Sequence, residues 1–311
     1  MLTFRTIKSL TQCLSGYRTS GLRIGFVPTM GFLHDGHRAL IAESVERCDI
    51  TVVSIFVNPA QFGPTEDLER YPRALDADHE LCRKAGVSMI FLPDASEIYP
   101  PGFQTFVEPG PVAGPLCGAV RPGHFRGVAT VVTKLFAIVQ PDVAFFGQKD
   151  FQQCAVIRQM VRDLNLPVEI VTVPTVREPD GLAMSSRNSY LGPTDRKRAL
   201  CLSRGLLAAQ AAFAEGERDS GRLIAIAQSQ ITAVDQLQYL ELRDAQTLEA
   251  IHGLVDKPVA LCVAAMIGPT RLIDNVLLTP PRTALSDRDL EVVSCAVDRQ
   301  VNVGGQGSRP S

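Results

Sequence analysis

Five short apolar runs mark the first part of the chain, at residues 23–27, 51–57, 87–92, 143–146 and 168–173, and each is closed by Pro or Gly. Uninterrupted apolar runs of this length predict strands buried on both faces rather than half-exposed ones. Between them, residues 37–48, 74–85, 128–139 and 151–164 carry apolar positions at helical spacing. Strand and helix in regular alternation predict a parallel sheet with helices on both sides and right-handed crossovers. The Pro- and Gly-rich stretch 99–127 breaks the rhythm and is expected to loop over one end of the sheet.

The texture changes after about residue 185. Residues 195–215 and 222–234 read as helices, 239–243 begins a strand-like section, and two apolar runs, 259–267 and 272–278, flank Gly268-Pro269. A turn between two apolar runs predicts an antiparallel hairpin. The expected class is α/β: a doubly wound, Rossmann-like parallel-sheet domain over residues 1–183, then a smaller α+β domain over 184–280. Residues 281–311 have mixed charges and a Gly- and Ser-rich end, and are expected to be a largely disordered extension. A regulatory and an inert role both remain open for it.

Composition narrows the partners. Charged residues make up 21% of the chain, hydrophobic ones 45%, and the formal net charge is −2. A polyanion binder needs a basic patch; the nearest candidate, Arg196-Lys197-Arg198, reads as the solvated face of a helix, so nucleic-acid binding is not expected. No stretch approaches the roughly 20 apolar residues of a membrane span. The N-terminus has no apolar core or cleavage site of a secretory signal, so a cytoplasmic protein is expected. The eight cysteines (13, 48, 82, 117, 154, 201, 262, 295) contain no C-x-x-C pair. They are expected to be reduced packing residues rather than disulfides or thiolate ligands.

Three groups carry chemistry, each at a predicted element end. His34-Asp35-Gly36-His37 follows the first strand and opens a helix. In open α/β sheets ligands bind beyond the carboxyl ends of the strands, and a helix start presents free N–H groups to an anion. Alone, the motif is compatible with a helix cap, a zinc pair or a phosphate site. Helical zinc pairs favour i, i+4 spacing with a Glu, and Gly36 suits close backbone approach, so placement favours phosphate. The second group is Gly147-Gln148-Lys149-Asp150, with a cation for phosphate and a carboxylate for a ribose hydroxyl. The third, Met184-Ser185-Ser186-Arg187-Asn188, reads as an anion clamp or, by itself, a helix cap. No Walker A motif and no G-x-G-x-x-G is present, so a nucleotide site here is of another kind.

At these residues the chain resembles the nucleotidylyltransferase superfamily with its H-x-G-H motif, and within it the pantothenate synthetase (pantoate–β-alanine ligase) family. The resemblance also rests on Pro28-Thr29-Met30-Gly31-Phe32-Leu33, on Phe56-Val57-Asn58-Pro59-Ala60-Gln61-Phe62-Gly63 and on Arg121-Pro122-Gly123-His124-Phe125-Arg126-Gly127-Val128. It continues through residues 146–153 and 174–188 and spans about residues 1–280. It implies ATP-dependent joining of pantoate to β-alanine through an adenylate, with Mg2+ accompanying ATP, and a homodimer. By the same resemblance His34, His37 and Lys149 are catalytic. The ATP-binding set would be Met30, Gly31, Phe32, Leu33, His34, Asp35, Gly36, His37, Gly147, Gln148, Lys149, Asp150, Val176, Met184, Ser185, Ser186 and Arg187. Within it, Gly147 and Asp150 would contact ribose, and Val176 and Met184 would border adenine. Gln61 and Gln153 would hold pantoate; the metal ligands are not implied. The family's usual Gly-Glu-Lys-Asp reads Gly147-Gln148-Lys149-Asp150 here, which leaves the role of side chain 148 open. A transferase acting on a phosphate acceptor would want Arg or Lys where Gln61 and Gln153 stand. A non-catalytic nucleotide sensor would be expected to lose one of His34, His37 or Lys149, and none is lost.

Overall fold

The computed structural model describes residues 1–64 and 66–281. The first sheet is built from β1 (Leu2–Phe4), β2 (Ile24–Thr29), β3 (Ile50–Ile55), β4 (Met89–Phe91), β5 (Val143–Gly147) and β6 (Glu169–Val173). The helices are α1 (Ile7–Thr19), α2 (Asp35–Arg47), α3 (Leu75–Lys84), the short α4 (Ala95–Ile98) and α5 (Cys117–Val120), α6 (His124–Val139), α7 (Phe151–Asp163), α8 (Pro193–Ala214) and α9 (Ser220–Gln230). A second sheet holds β7 (Gln236–Asp244), β8 (Val259–Ile267) and β9 (Thr270–Leu278).

All pairings in the first sheet are parallel and its order is β1-β4-β3-β2-β5-β6. From β2 the chain winds outward through β3 and β4, then returns to the other side for β5 and β6. The strand order therefore reverses between β2 and β5, the switch point at which a doubly wound sheet opens a crevice. β2 runs further than its apolar pattern implies, through Pro28, which pairs with Ser54 of β3. Its ladder with β5 ends at Phe26↔Ala144, so Pro28 lies beyond the last pairing on that side, where a missing N–H costs little.

Burial follows the alternation of side chains. Ile24, Phe26, Val52 and Phe146 face a core filled by α1, α6 and α7, while Val27, Val53, Ile90, Val143 and Phe145 face the core under α2. The nine residues of β8, VALCVAAMI, divide in the same way. Ala260, Cys262 and Ala264 join the first core, and Val259, Leu261, Val263 and Ala265 pack on α8 and α9. The expected hairpin is the β8–β9 pair, antiparallel in continuous register. Met1–Leu278 forms one compact unit, with Leu182 opening the core under α8. The expected extension lies, from residue 282 on, outside the described residues.

Three expectations need correction. The pattern assigned nothing before residue 23, yet β1 and α1 lie there; β1 is a mostly exposed three-residue edge and α1 buries only Leu10 and Leu14, so neither leaves a strong apolar signature. The loop expected to reach residue 127 ends at Gly123, whose left-handed φ of 80° starts α6 at His124. Arg196 and Arg198 do lie on a helix but are not merely solvated: Arg196 pairs with Glu178 and Asp180, and Arg198 with Asp195 and Asp235. The seven described cysteines are free, five of them buried.

Candidate active site

A cleft opens at the switch point, above the ends of β2 and β5, and the starts of α2 and α7 both come to it. A helix start carries partial positive charge, which favours an anion in the opening. The cleft brings together His34, His37, Lys149, Asp150, Gln61 and Gln153 with the segment Met184-Ser185-Ser186-Arg187. Met30, Gly36, Gly147 and Val176 also line it.

The histidines lock one another. His34 caps α2, its Nδ1 accepting the Gly36 N–H at 3.2 Å, and His37 Nδ1 accepts the His34 N–H at 3.3 Å. With both Nδ1 atoms accepting, the neutral rings carry their proton on Nε2 and donate from there. Burial, reinforced by Lys149, pushes His34 down to about 4; burial, His34 and Lys149 hold His37 well below the ordinary 6.5. At neutral pH the motif is a pair of neutral donors, and the lining cations Lys149, Arg187 and Arg121 supply the positive charge. Gly36 has a local reason: a Cβ there would stand 2.9 Å from His34 Cε1 and Nδ1, so a side chain would displace the ring.

The loop before α2 is held from α3. Asp78, buried, accepts the N–H groups of Phe32 at 2.9 Å and Leu33 at 2.7 Å. Those amides are therefore engaged, and Gly31, Phe32, Leu33 and Asp35 are not among the lining residues; Asp35 instead pairs with Arg38 at 3.1 Å. Gln148 also turns away, donating to Asn275 Oδ1 at 3.3 Å. Lys149 is mostly buried, with its Nζ 3.9 Å from Asp150.

The Ser-Ser-Arg segment is both a cap and part of the lining. Ser185 Oγ accepts the Arg187 N–H at 3.3 Å, starting the turn Ser186–Tyr190. Ser186 donates to the Phe32 carbonyl at 3.3 Å, and Arg187 makes two 2.8 Å bonds to Asp67 beneath the Tyr71 ring.

Among the lining residues given no role by the sequence, four stand out: Asn58, Arg121, His124 and Tyr71. Asn58 donates to Gln61 Oε1 at 3.0 Å, and Gln61 Nε2 donates to Met30 Sδ at 3.1 Å. Arg121 grips Glu66 with two 2.6 Å bonds, and His124 Nδ1 donates to the Gln61 carbonyl at 2.9 Å. Burial and Arg121 hold His124 down at about 4. The fourth, Tyr71, is buried. Asn58, Arg121 and His124 lie in the runs that carry the family resemblance, which was the signal available for them.

Among the described residues no cluster of three or more His, Cys, Asp or Glu could hold a metal by itself. Asp150 is the carboxylate in the lining. That donor set suits Mg2+ arriving with phosphate oxygens, which takes one or two carboxylates plus phosphates and waters. It does not suit a resident zinc.

Comparison with known proteins agrees with this geometry. The family model described as pantoate-beta-alanine ligase matches residues 2–277. The chain is 64% identical over 279 residues to pantothenate synthetase 1 of Bradyrhizobium diazoefficiens, covering 90% of this chain and 99% of that one. It is 56% identical over 281 residues to the pantothenate synthetase of Trichlorobacter lovleyi, covering 89% and 99%. The crystal structure of pantothenate synthetase from Thermus thermophilus superposes with a TM-score of 0.85 at 46% identity, covering 90% of this chain and all of that one. The pantoate-beta-alanine ligase of Francisella tularensis, complexed with beta-gamma ATP and beta-alanine, does so with a TM-score of 0.74 at 34% identity, covering 91% and 100%.

Proposed function

The chain belongs to the pantoate–β-alanine ligase family, and from that premise we propose how the cleft divides the work of the reaction. The enzyme condenses (R)-pantoate with β-alanine using ATP, giving pantothenate, AMP and diphosphate through a pantoyl adenylate. The convergence of two helix starts, two neutral imidazole donors and Lys149 on one cleft is the observation that carries our assignment of roles.

A carboxylate is already a nucleophile, so the first step needs no general base. It needs in-line placement and neutralisation of charge as diphosphate leaves. His34 and His37 donate Nε2–H bonds to the triphosphate, and Lys149 brings the compensating charge. Ser185, Ser186 and Arg187 close on the outer phosphates, Arg187 exchanging Asp67 for them. Gly147 and Asp150 take the ribose, while Val176 and Met184 border the base. Asp35 and the amides of Gly31, Phe32 and Leu33 serve by shaping the loop rather than by touching ATP. Mg2+ accompanying ATP would add charge neutralisation, and Asp150 with the phosphate oxygens would hold it.

Pantoate lies across Gln61 and Gln153, its methyl groups against the apolar wall formed by α6. Arg121 is placed to receive the carboxylate of β-alanine in exchange for Glu66. The second step requires a neutral amine and exclusion of water from the mixed anhydride. Residues 184–280 acting as a closing lid over the domain 1–183 would supply that exclusion. We also propose that the enzyme works in the cytoplasm as a homodimer; among the described residues no helix is long and apolar enough to cross a membrane.

The test is turnover. Protein given ATP, Mg2+ and pantoate alone should release diphosphate once per site and no AMP, and continuous release of both AMP and diphosphate should require β-alanine as well. ADP formation, or ATP binding without turnover, would refute the assignment.

A further inference from the structure

Asn275, on the central stretch of β9, is 2% exposed and its amide is fully used. Its Nδ2 donates to the carbonyl oxygens of Gln148 and Lys149, each at 3.0 Å, and its Oδ1 accepts from Gln148 Nε2 at 3.3 Å. These three bonds all fall on the turn Gln148–Asp150 that presents Lys149 to the cleft. No side chain caps the start of α7, so these bonds add to the turn's own backbone pairing. β9 is a firm base for such a clamp, paired with β8 in unbroken register from Thr270 to Leu278. The preceding residue, Asp274, takes two bonds from Arg177 at 2.7 and 3.0 Å, and its Oδ1 accepts the Asn275 N–H at 2.7 Å. Arg177 in turn holds the Gly181 carbonyl at 3.1 Å, in the segment that leads to Ser185.

We propose that Asn275, with Gln148 as its partner, is a positioning residue for Lys149, so that the second sheet sets the cation used on the triphosphate. A lysine reaches its target through a flexible four-carbon stem, so its Nζ is only as well placed as its backbone. Without Asn275 both carbonyls lose its side-chain donor and the turn is freer to shift. Gln148 matters because it donates to Oδ1, which keeps the Asn275 NH2 group directed at both carbonyls. A side chain at 148 that only accepts would turn that amide around.

This inference rests on the role given to Lys149 above, and the test keeps the two apart. Diphosphate release from ATP and pantoate is followed in a single turnover, in a double-mutant cycle. Asn275→Ala should slow release by roughly ten- to a hundredfold, the scale of a misplacement near 1 Å. Gln148→Ala, at a half-buried position, should slow it less, in the same direction. In a Lys149→Ala background either substitution should add less than about a twofold loss, because an effect exerted through Lys149 has nothing left to act on. A residue that merely stabilises the fold would give losses that multiply. Multiplying losses, or an undiminished rate in both single variants, overturn the proposal. If Asn275→Ala does not fold, Gln148→Ala completes the same cycle. Wild-type protein that releases no diphosphate overturns the reaction assignment itself, a result distinct from failure of the clamp.

Discussion

His34 and His37 stand with ring centres 4.1 Å apart beside the mostly buried Lys149. Burial and that lysine keep both rings neutral, each with its Nε2–H free for a phosphate. His34 and His124 are held at about 4, against an ordinary 6.5, and His37 is held well below 6.5. Between those values the unfolded chain binds more protons than the folded one, so stability rises with pH. The contribution is complete above about pH 6.5 and is lost as pH falls toward 4. The unfolding free energy of the ligand-free protein, from denaturant titration, should therefore fall from pH 6.5 to 4.5, by up to about 1.4 kcal/mol per pH unit for each histidine, and the midpoint with it. His34→Gln should flatten that profile. A pH-independent midpoint across the window would contradict neutral buried histidines. The sequence showed His34, His37 and Lys149 because they stand at element ends in an identifiable motif. It did not show Asp78, which acts on Phe32 from 46 residues away, or Asn275, 126 residues from Lys149, since such distant pairings leave no local pattern.

At the level of elements, the alternation of buried runs and helical spacing was readable because strands covered on both faces are nearly all apolar. The edge strand β1 and the start of α6 were not, one being short and exposed and the other hidden among Gly and Pro. The start of α6 matters for the site. Gly127 lies in its first turns, where a Cβ would stand 2.1 Å from the Ala60 carbonyl oxygen and 2.7 Å from Gln61 Cα. Asn58 also donates to the Gly127 carbonyl at 3.2 Å, so the helix backbone is the surface on which the Asn58–Gln61 turn rests. Alanine is the better helix former by about 1 kcal/mol, and helix propensity alone would make Gly127→Ala stabilising. The contact dictates the opposite: the turn must move by an ångström or so. Pantoate-dependent turnover is then expected to fall by on the order of a hundredfold. Steady-state kinetics at saturating ATP would show this, and wild-type kinetics in Gly127→Ala would mean that Gln61 is not held by this contact.

Across the whole molecule, function follows from strand order. The reversal between β2 and β5 opens the cleft, the crossovers bring two helix starts to it, and the second sheet reaches the Lys149 turn through Asn275. That last connection was not legible in the sequence, because it depends on how one sheet packs against the other. The first of the two steps the cleft serves is attack of a carboxylate oxygen on the α-phosphorus of ATP. The most direct measurement of it is oxygen transfer. Pantoate labelled with 18O in its carboxylate, turned over with ATP, Mg2+ and β-alanine, should deliver one labelled oxygen to the phosphate of each AMP formed. Label found instead in inorganic phosphate or diphosphate, or AMP formed without label, would contradict adenylylation of the acid.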